Sequence, residues 1–431
     1  MISYWFSNQT NRGSDHDEED TMSQKPTRSK YTTLVQICQL IPTFLVSKLA
    51  RQYGVDQGAR KFSAWSHVVS LLYAQLSHAL SLNDVCDALN NHSGKLRTLR
   101  GARAPKRNTL SNANRKRNPE MAKQVFWQTL QHLCEQSPGF GGRTYQGMPR
   151  RFKRMINVVD SSTIQLVANC MDWARPRRKK AAVKMHLGLN LQSFLPRFAI
   201  VDTAARHDSR CARGLCGDLG KSEIVVFDKA YVDFAHLFEL NERGVFWVTR
   251  AKENMQYRCV KRLIKKPQEN ILRDDLIVWT TPDSRENYPQ RLRLVRAIVE
   301  VDGQEKEMTF ITNNVQWGAS SVVDLYGCRW SIEVFFKELK QTLQLCDFLG
   351  HNKKAILWQV WTALLLYVLL RFLAFTHRWS HGFKRLFCLL RSSLWDAFLL
   401  RDLLKSYGTA SGAIPLKPHV EQLWLPGFEP I

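Results

Sequence analysis

From Ala355 to Phe375 the chain reads AILWQVWTALLLYVLLRFLAF, an almost unbroken apolar run. A helix that is hydrophobic all round must be enclosed, either by lipid or by the rest of the protein. The length suits a membrane span of about 20 residues. Gln359 and Arg371 interrupt it, however, and no second stretch of this kind occurs. A buried core helix is the expected reading, and no membrane partner is expected. A chain of 431 residues exceeds one compact core, so two or three domains are expected.

The charge balance constrains the partner. Lys and Arg number 62 against 38 Asp and Glu, a net +24, and the sequence pI is about 9.8. A field of that sign draws polyanions, and neutralising phosphates releases condensed counterions. Nucleic acid is the leading partner, with a solvated basic surface or an anionic membrane as the alternatives. The ten cysteines include no CxxC pair, and Cys211 and Cys216 are followed by no Cys/His pair at zinc spacing. Reduced thiols in a cytoplasmic protein are expected.

Composition and periodicity divide the chain. Residues 1–30 read as a disordered tail with an acidic patch, Asp15 to Asp20, and Met22 is an alternative translation start. Residues 31–135 carry apolar residues at helical spacing, with Ser81 a candidate N-cap. Within them, Arg100 to Asn118 holds seven Lys/Arg and no acid. A short helix from near Thr109 would present Asn112, Asn114, Arg115 and Arg117 to DNA, as a helical reading module. Residues 136–154 form a basic Gly/Pro linker. From 155 the period changes to that of strands, with KMHLGLNLQ and LPRFAIVDTA placed to pair as a hairpin. The expected divisions are a first core segment (155–236), a β-rich insertion (237–316), a second core segment with a long helix from Ser321 (317–375), and a C-terminal helical region (376–431).

Two aspartates end apolar runs: Asp160 after Met155–Val159, and Asp228 after Ile224–Phe227. Ligands of open α/β sheets gather outside strand ends, although an aspartate there can equally cap the next element. A third acid lies in DLYGCRWSIEVFFKELKQTL, where Ser321 and Asp324 resemble a capping box. At about 100° per residue, Tyr326, Arg329, Glu333 and Lys340 share an arc of about 60° beside an apolar stripe of Leu325, Ile332, Phe336 and Leu339. Glu338 falls on another face and is expected to be solvated. The same wheel also suits a solvated stripe with Arg329–Glu333 as an i,i+4 pair.

The spacing Tyr326-x2-Arg329-x3-Glu333-x6-Lys340 resembles the Y-R-E-K signature of insertion-sequence transposases of family four, the DDE cut-and-paste group. Asp160-Ser161-Ser162-Thr163 resembles that family's first-aspartate motif. Asp228-Lys229-Ala230-Tyr231 resembles the second, usually Asp-Arg-Gly-Tyr, with mild departures at Lys229 and Ala230. The resemblance runs from about residue 31 to 375. It implies an α/β fold: an RNase H-like mixed sheet with flanking helices, interrupted by a β-rich insertion, plus an α-helical N-terminal DNA-binding domain.

By the same resemblance Asp160, Asp228 and Glu333 are catalytic and hold Mg²⁺ or Mn²⁺, two ions in all. Hard cations take oxygen ligands, which suits this donor set. Tyr326, Arg329 and Lys340 would contact transposon-end DNA. An insertion tryptophan, with Trp247, Trp279 and Trp317 as candidates, would stabilise a flipped base; each also suits ordinary packing. The basic run containing Arg177, Arg178 and Lys179 is expected on the DNA backbone. Asp202, His207 and Asp208 are expected to be structural or substrate-facing, and His186 a satisfied side chain. The implied partners are transposon-end and target DNA and a second copy of the chain, in a bacterial, nucleoid-associated setting. A related metal nuclease and a non-catalytic DNA-binding descendant are the competing readings. The intact acids argue against the second, and the Tyr326/Arg329/Lys340 companions against the first.

Overall fold

Short β-branched runs build one mixed sheet of nine strands. In the computed structural model, which describes residues 26–142, 152–165, 182–203, 208–301, 303–345 and 348–406, these are β1 (Ile156–Gln165), β2 (Ala182–Asn190), β3 (Leu195–Thr203), β4 (Ile224–Phe227), β5 (Phe246–Arg250), β6 (Tyr257–Arg262), β7 (Ile271–Trp279), β8 (Leu292–Val301) and β9 (Gln304–Thr312). Their spatial order is β3-β2-β1-β4-β5-β9-β8-β7-β6. Strands β1, β4 and β5 run parallel, while β2 and β3 turn back antiparallel on one side and β9 to β6 on the other. The β2–β3 hairpin forms as its sequence suggests. At its bulge Gly188 is required, because a Cβ there would lie 2.7 Å from the Phe198 ring.

Helices supply the other layers. Ahead of the sheet come α1 (Thr33–Gln39), α2 (Leu45–Gln52), α3 (Ala64–Ser77), α4 (Leu82–Asn91), α5 (Ser93–Arg97), α6 (Arg107–Lys116) and α7 (Glu120–Gln136). Ser81 caps α4 in a full capping box with Asp84, which satisfies otherwise orphaned N–H groups. Between strands lie α8 (Asp208–Leu215), α9 (Phe234–Glu242) and α10 (Pro282–Asn287); after them α11 (Ala319–Gly327), α12 (Ser331–Lys337), α13 (Lys353–Thr376), α14 (Phe383–Ser392) and α15 (Leu400–Ser406).

The apolar run of the sequence is α13, and 89% of its most apolar stretch is buried inside the protein. It lies against α3, α6, α7 and α14, so the N-terminal helices share one core with the sheet. Both polar interruptions have partners. Gln359 accepts a hydrogen bond from Leu349 N at 2.9 Å. Arg371 donates to Tyr367 Oη at 2.8 Å and to both oxygens of Glu338, amid the rings of Phe194, Tyr367 and Phe383. Glu338 is therefore buried and ion-paired rather than solvated. An isolated helical wheel has no knowledge of α13, which carries the cation that makes this burial tolerable.

Other expectations change. The helix expected from Ser321 starts at Ala319 with Gly318 as N-cap. It passes through a 3-10 turn at Cys328–Trp330 and a π turn at Glu338–Thr342. β5 belongs to the parallel centre of the sheet, and β6–β9 extend the same sheet beyond it. β6 escaped the strand reading because it is an exposed, basic edge strand lacking apolar alternation. Residues 1–25 lie outside the described residues, but Thr27 to Ser29 are held by hydrogen bonds to Ala397 and Leu399.

One buried histidine gives this helical layer a pH signature. His67 is wholly enclosed, its Nε2 lies 2.8 Å from Asn114 Oδ1, and its ring sits 4.4 Å from that of Trp358. Burial, then the Arg117 charge, lower its pKa from 6.5 to about 3. The unfolded chain therefore takes up a proton at His67 before the folded one does. The contribution is fully present above the unfolded value and is lost as pH falls, at about 1.4 kcal/mol per pH unit between the two values. Replacing His67 with Gln should flatten the fall in urea-unfolding free energy between pH 6 and pH 4 by that slope. Parallel curves for the two proteins would refute the assignment.

Candidate active site

Strand register brings the distant aspartates together. The last parallel pair of β1 and β4 is Val159 with Phe227, and that of β4 and β5 is Phe227 with Thr249. The next residues on the three strands are Asp160, Asp228 and Arg250, one row across the sheet. Asp160 does not end its strand as expected: β1 runs on to Gln165 against β2, with Asp160 opposite Leu187. What ends at Asp160 is the parallel pairing, and the side chain sits where β4 stops covering β1.

Alternation decides which face the row adorns. Val158, Val226 and Val248 join the same core as Leu325 and Ile332 of α11 and α12, whereas Val159, Phe227 and Trp247 join the core on the opposite face. With a strand period of two, Asp160, Asp228 and Arg250 share the face covered by α11 and α12. Those helices supply the rest. Tyr326 Oη donates to Asp228 Oδ1 at 3.2 Å. Arg329 Nη1 donates to Asp160 Oδ2 at 2.8 Å and its Nη2 to Glu333 Oε1 at 3.0 Å. Lys340, beyond the π turn's start, donates to Thr163 O at 2.8 Å. π turns of this kind recur at functional sites.

The site is electrostatically strained. Arg329 is 8% exposed, stacks 4.4 Å above the Trp330 ring, and its Nε has no hydrogen-bond partner among the described residues. Burial raises the Asp160 pKa, only partly opposed by Arg329 and the Ser161 N–H, and Asp228 adds to the rise. Burial likewise raises Glu333 against the pull of Arg329, with Asp160 and Asp228 pushing the same way. Tyr326 is raised by burial and by Asp228, so it stays a neutral donor. Burial works against the Arg329 charge, but Asp160, Tyr326 and Glu333 outweigh it and keep the guanidinium protonated.

Three carboxylates against the guanidinium groups of Arg329 and Arg250 leave a formal excess of one negative charge. An all-oxygen donor set with that excess fits divalent cations of the hard class. The described residues do not, however, hold any three acidic, His or Cys groups close enough to ligate one ion. Arg329 lies between Asp160 and Glu333, so the carboxylates could share a metal only if it moves.

The transposase DDE domain family matches residues 151–369, just over half of the sequence. The chain belongs to that family. A further match, to a domain of unknown function (DUF4372), covers residues 29–101. Among relatives of this DDE-family chain is "Probable transposase for insertion sequence element IS5377" of Geobacillus stearothermophilus, 28% identical over 225 residues, 52% of this chain and 58% of that protein. "Transposase InsG for insertion sequence element IS4" of Escherichia coli (strain K12) is 26% identical over 278 residues, 60% of this chain and 59% of that protein. The matched stretch thus spans less than two thirds of either relative. Among solved structures, the piggyBac transposase synaptic complex with hairpin DNA aligns with 90% of this chain and 85% of that one, at 10% identity and a TM-score of 0.42, too remote to carry an argument.

The remaining candidate residues separate. Arg115 is exposed on α6 and, among the described residues, hydrogen-bonds only Asn112. Arg117 is buried instead of facing DNA: it donates to Phe62 O at 2.6 Å and Ser63 O at 3.2 Å and lies 3.6 Å from Asp56. Asn114 is buried beside His67. The basic periodicity of this stretch could not reveal that α6 turns these two residues inward. Trp247 and Trp279 are buried, and Trp317 packs on Phe246. His186 is buried, with Nδ1 3.0 Å from Tyr231 Oη. Arg177, Arg178, Lys179 and His207 lie outside the described residues, as do the side chains of Asp202 and Asp208. Arg250 was not among the expected site residues. Its signal was available, a charged residue closing an apolar strand in the manner of Asp228.

Truncation should tell the two α6 arginines apart. Arg117→Ala leaves buried carbonyls unsatisfied and should lower unfolding free energy by about 2–4 kcal/mol. Arg115→Ala should change it by less than about 0.5 kcal/mol. Equal thermal midpoints for the two variants would contradict the burial described.

Proposed function

We propose that this protein is the DNA transposase of an insertion sequence, binding terminal inverted repeats and carrying out metal-dependent cut-and-paste cleavage and strand transfer through a DNA hairpin. The observation that carries the reading is the convergence of Asp160, Asp228 and Glu333, far apart in sequence, around Arg329 at the C-terminal edge of the parallel strands. The sheet is read as RNase H-like. Its central β1, with antiparallel β2 and β3 on one side and parallel β4 and β5 on the other, supports this.

Asp160, Asp228 and Glu333 would hold the divalent ions, Mg²⁺ or Mn²⁺ and two in number. When bound, such ions supply activation of the attacking oxygen and stabilisation of the leaving oxygen in an in-line displacement. The chain's own groups prepare that chemistry. Tyr326, neutral and nearly enclosed, orients Asp228 through its hydroxyl. Arg329 keeps Asp160 and Glu333 facing each other across a pocket that would otherwise repel them apart. Lys340 fixes the π turn against β1 just beyond Asp160 and is read as a contact for terminal DNA. Arg115 and the Arg177–Lys179 segment are read as backbone contacts, and the helices of residues 31–135 as the end-reading part. Two copies would bring two DNA ends together, within the bacterial cytoplasm at the nucleoid.

Glu333→Gln removes one charged oxygen ligand and little volume. It should abolish Mg²⁺-dependent nicking of a duplex carrying the element's end while leaving gel-shift affinity for that duplex nearly intact. Undiminished nicking would move the chemistry elsewhere. Binding of the same duplex should also weaken steeply with salt, by about a factor of 10³ or more between 50 and 200 mM if six or more phosphates are contacted. A flat dependence would falsify the basic-surface reading.

A further inference from the structure

Several arginines around the sheet have acidic partners. Arg197 pairs with Glu223, Arg293 with Asp274, Arg296 with Glu307, Arg371 with Glu338, and Arg329 with both Asp160 and Glu333. Arg250 is different. Among the described residues its side chain has no carboxylate partner and no hydrogen bond, and it is only half-buried. Yet it occupies the third place in the row begun by Asp160 and Asp228, on the same face. Its cross-strand partner on β9 is Phe310, whose ring touches that of Tyr326 at 4.9 Å, and its charge bears on the Tyr326 hydroxyl.

A guanidinium held beside acids but not consumed by them is placed for an anion brought in from outside. We propose that Arg250 is the residue that grips a phosphodiester presented to Asp160, Asp228 and Glu333, a role Arg329 cannot fill while both its terminal nitrogens are engaged by carboxylates. The planar fork of arginine suits two phosphate oxygens at once. Strand β5 supplies a rigid support, since Val248 and Thr249 immediately before Arg250 are fully enclosed. The inference rests on the DNA-processing reading of this site and adds to it a specific contact.

The test uses the full-length protein and a fluorescent duplex bearing the element's end, with Ca²⁺ in place of Mg²⁺ to hold off cleavage. Arg250→Gln should bind about tenfold more weakly than the wild type, and its slope of log affinity against log salt should fall by about one ion. Arg250→Lys, which keeps the charge without the fork, should recover the slope but only part of the affinity. If Arg250→Gln binds with wild-type affinity and slope, the proposal is overturned. It is equally overturned if Arg250→Lys loses the slope as fully as the Gln variant while its thermal midpoint matches the wild type, because that pattern marks a packing role. Should the Gln variant not fold, Arg250→Lys decides alone: full wild-type affinity, or a slope lowered by about one ion at a wild-type thermal midpoint, overturns the proposal. Failure of the underlying reading looks different: the wild-type protein itself would then show no salt-dependent binding of the duplex.

Discussion

Three carboxylates held close together in a partly dry pocket repel one another, and Arg329 is what lets them stay. Its two terminal nitrogens join Asp160 on β1 to Glu333 on α12, tying the sheet to the helical layer at the one place where like charges would otherwise drive them apart. Arg329 and Arg250 together do not neutralise three acids, so the pocket retains an unmet demand for positive charge. Burial raises the Asp160 and Glu333 carboxyls, and repulsion between the acids adds to the rise. Perturbed groups of this kind concentrate at working sites, and here one comes from the edge of the parallel strands and the other from α12.

The rest of the fold serves that junction. α13 gives α12 and the π turn a surface to rest on, with Phe335 packed on Tyr367 at 4.7 Å, and Arg371 on α13 receives Glu338 from the back of the glutamate helix. Removing one member of such a buried pair is usually far more damaging than replacing both, because a lone charge is stranded. The outer strands reach the same helix from the other side: Arg293, paired with Asp274 between β7 and β8, also donates to the carbonyl of Trp317. Trp317 immediately precedes Gly318, the N-cap of α11. The helix carrying Tyr326, Arg329 and Glu333 is thus pinned at its start by the strand extension and at its end by the core helix.

Much of this was legible before any coordinates. Hydrophobic periodicity located most strands and helices, the hairpin between β2 and β3, and the burial of α13, and Ser81 could be read as an N-cap. Each of the three acids closes or punctuates an apolar pattern, but it was the resemblance to the transposase motifs that singled them out. β6 was missed because an exposed edge strand needs no apolar alternation. Asp160 was placed at a strand end because the apolar run stops there, whereas β2 continues to pair with β1 beyond it. Arg117 and Glu338 were misread for one shared reason: a charged residue is buried or exposed according to partners on other segments, Asp56 and the Phe62 carbonyl in one case and Arg371 in the other.

Residue order along the chain is enough to dictate local periodicity, and with it the identity of the elements and the acids at their ends. It does not dictate which element docks on which. Docking decided that Arg329 would sit between Asp160 and Glu333, that Asp228 would receive the Tyr326 hydroxyl, and that Arg250 would join their row without an acid of its own. Apart from the local Arg329–Glu333 pair, those outcomes join residues tens to hundreds of positions apart, through strand register and helix packing. No pattern within a single segment encodes them, because their energies arise only when two segments exclude water from the same space.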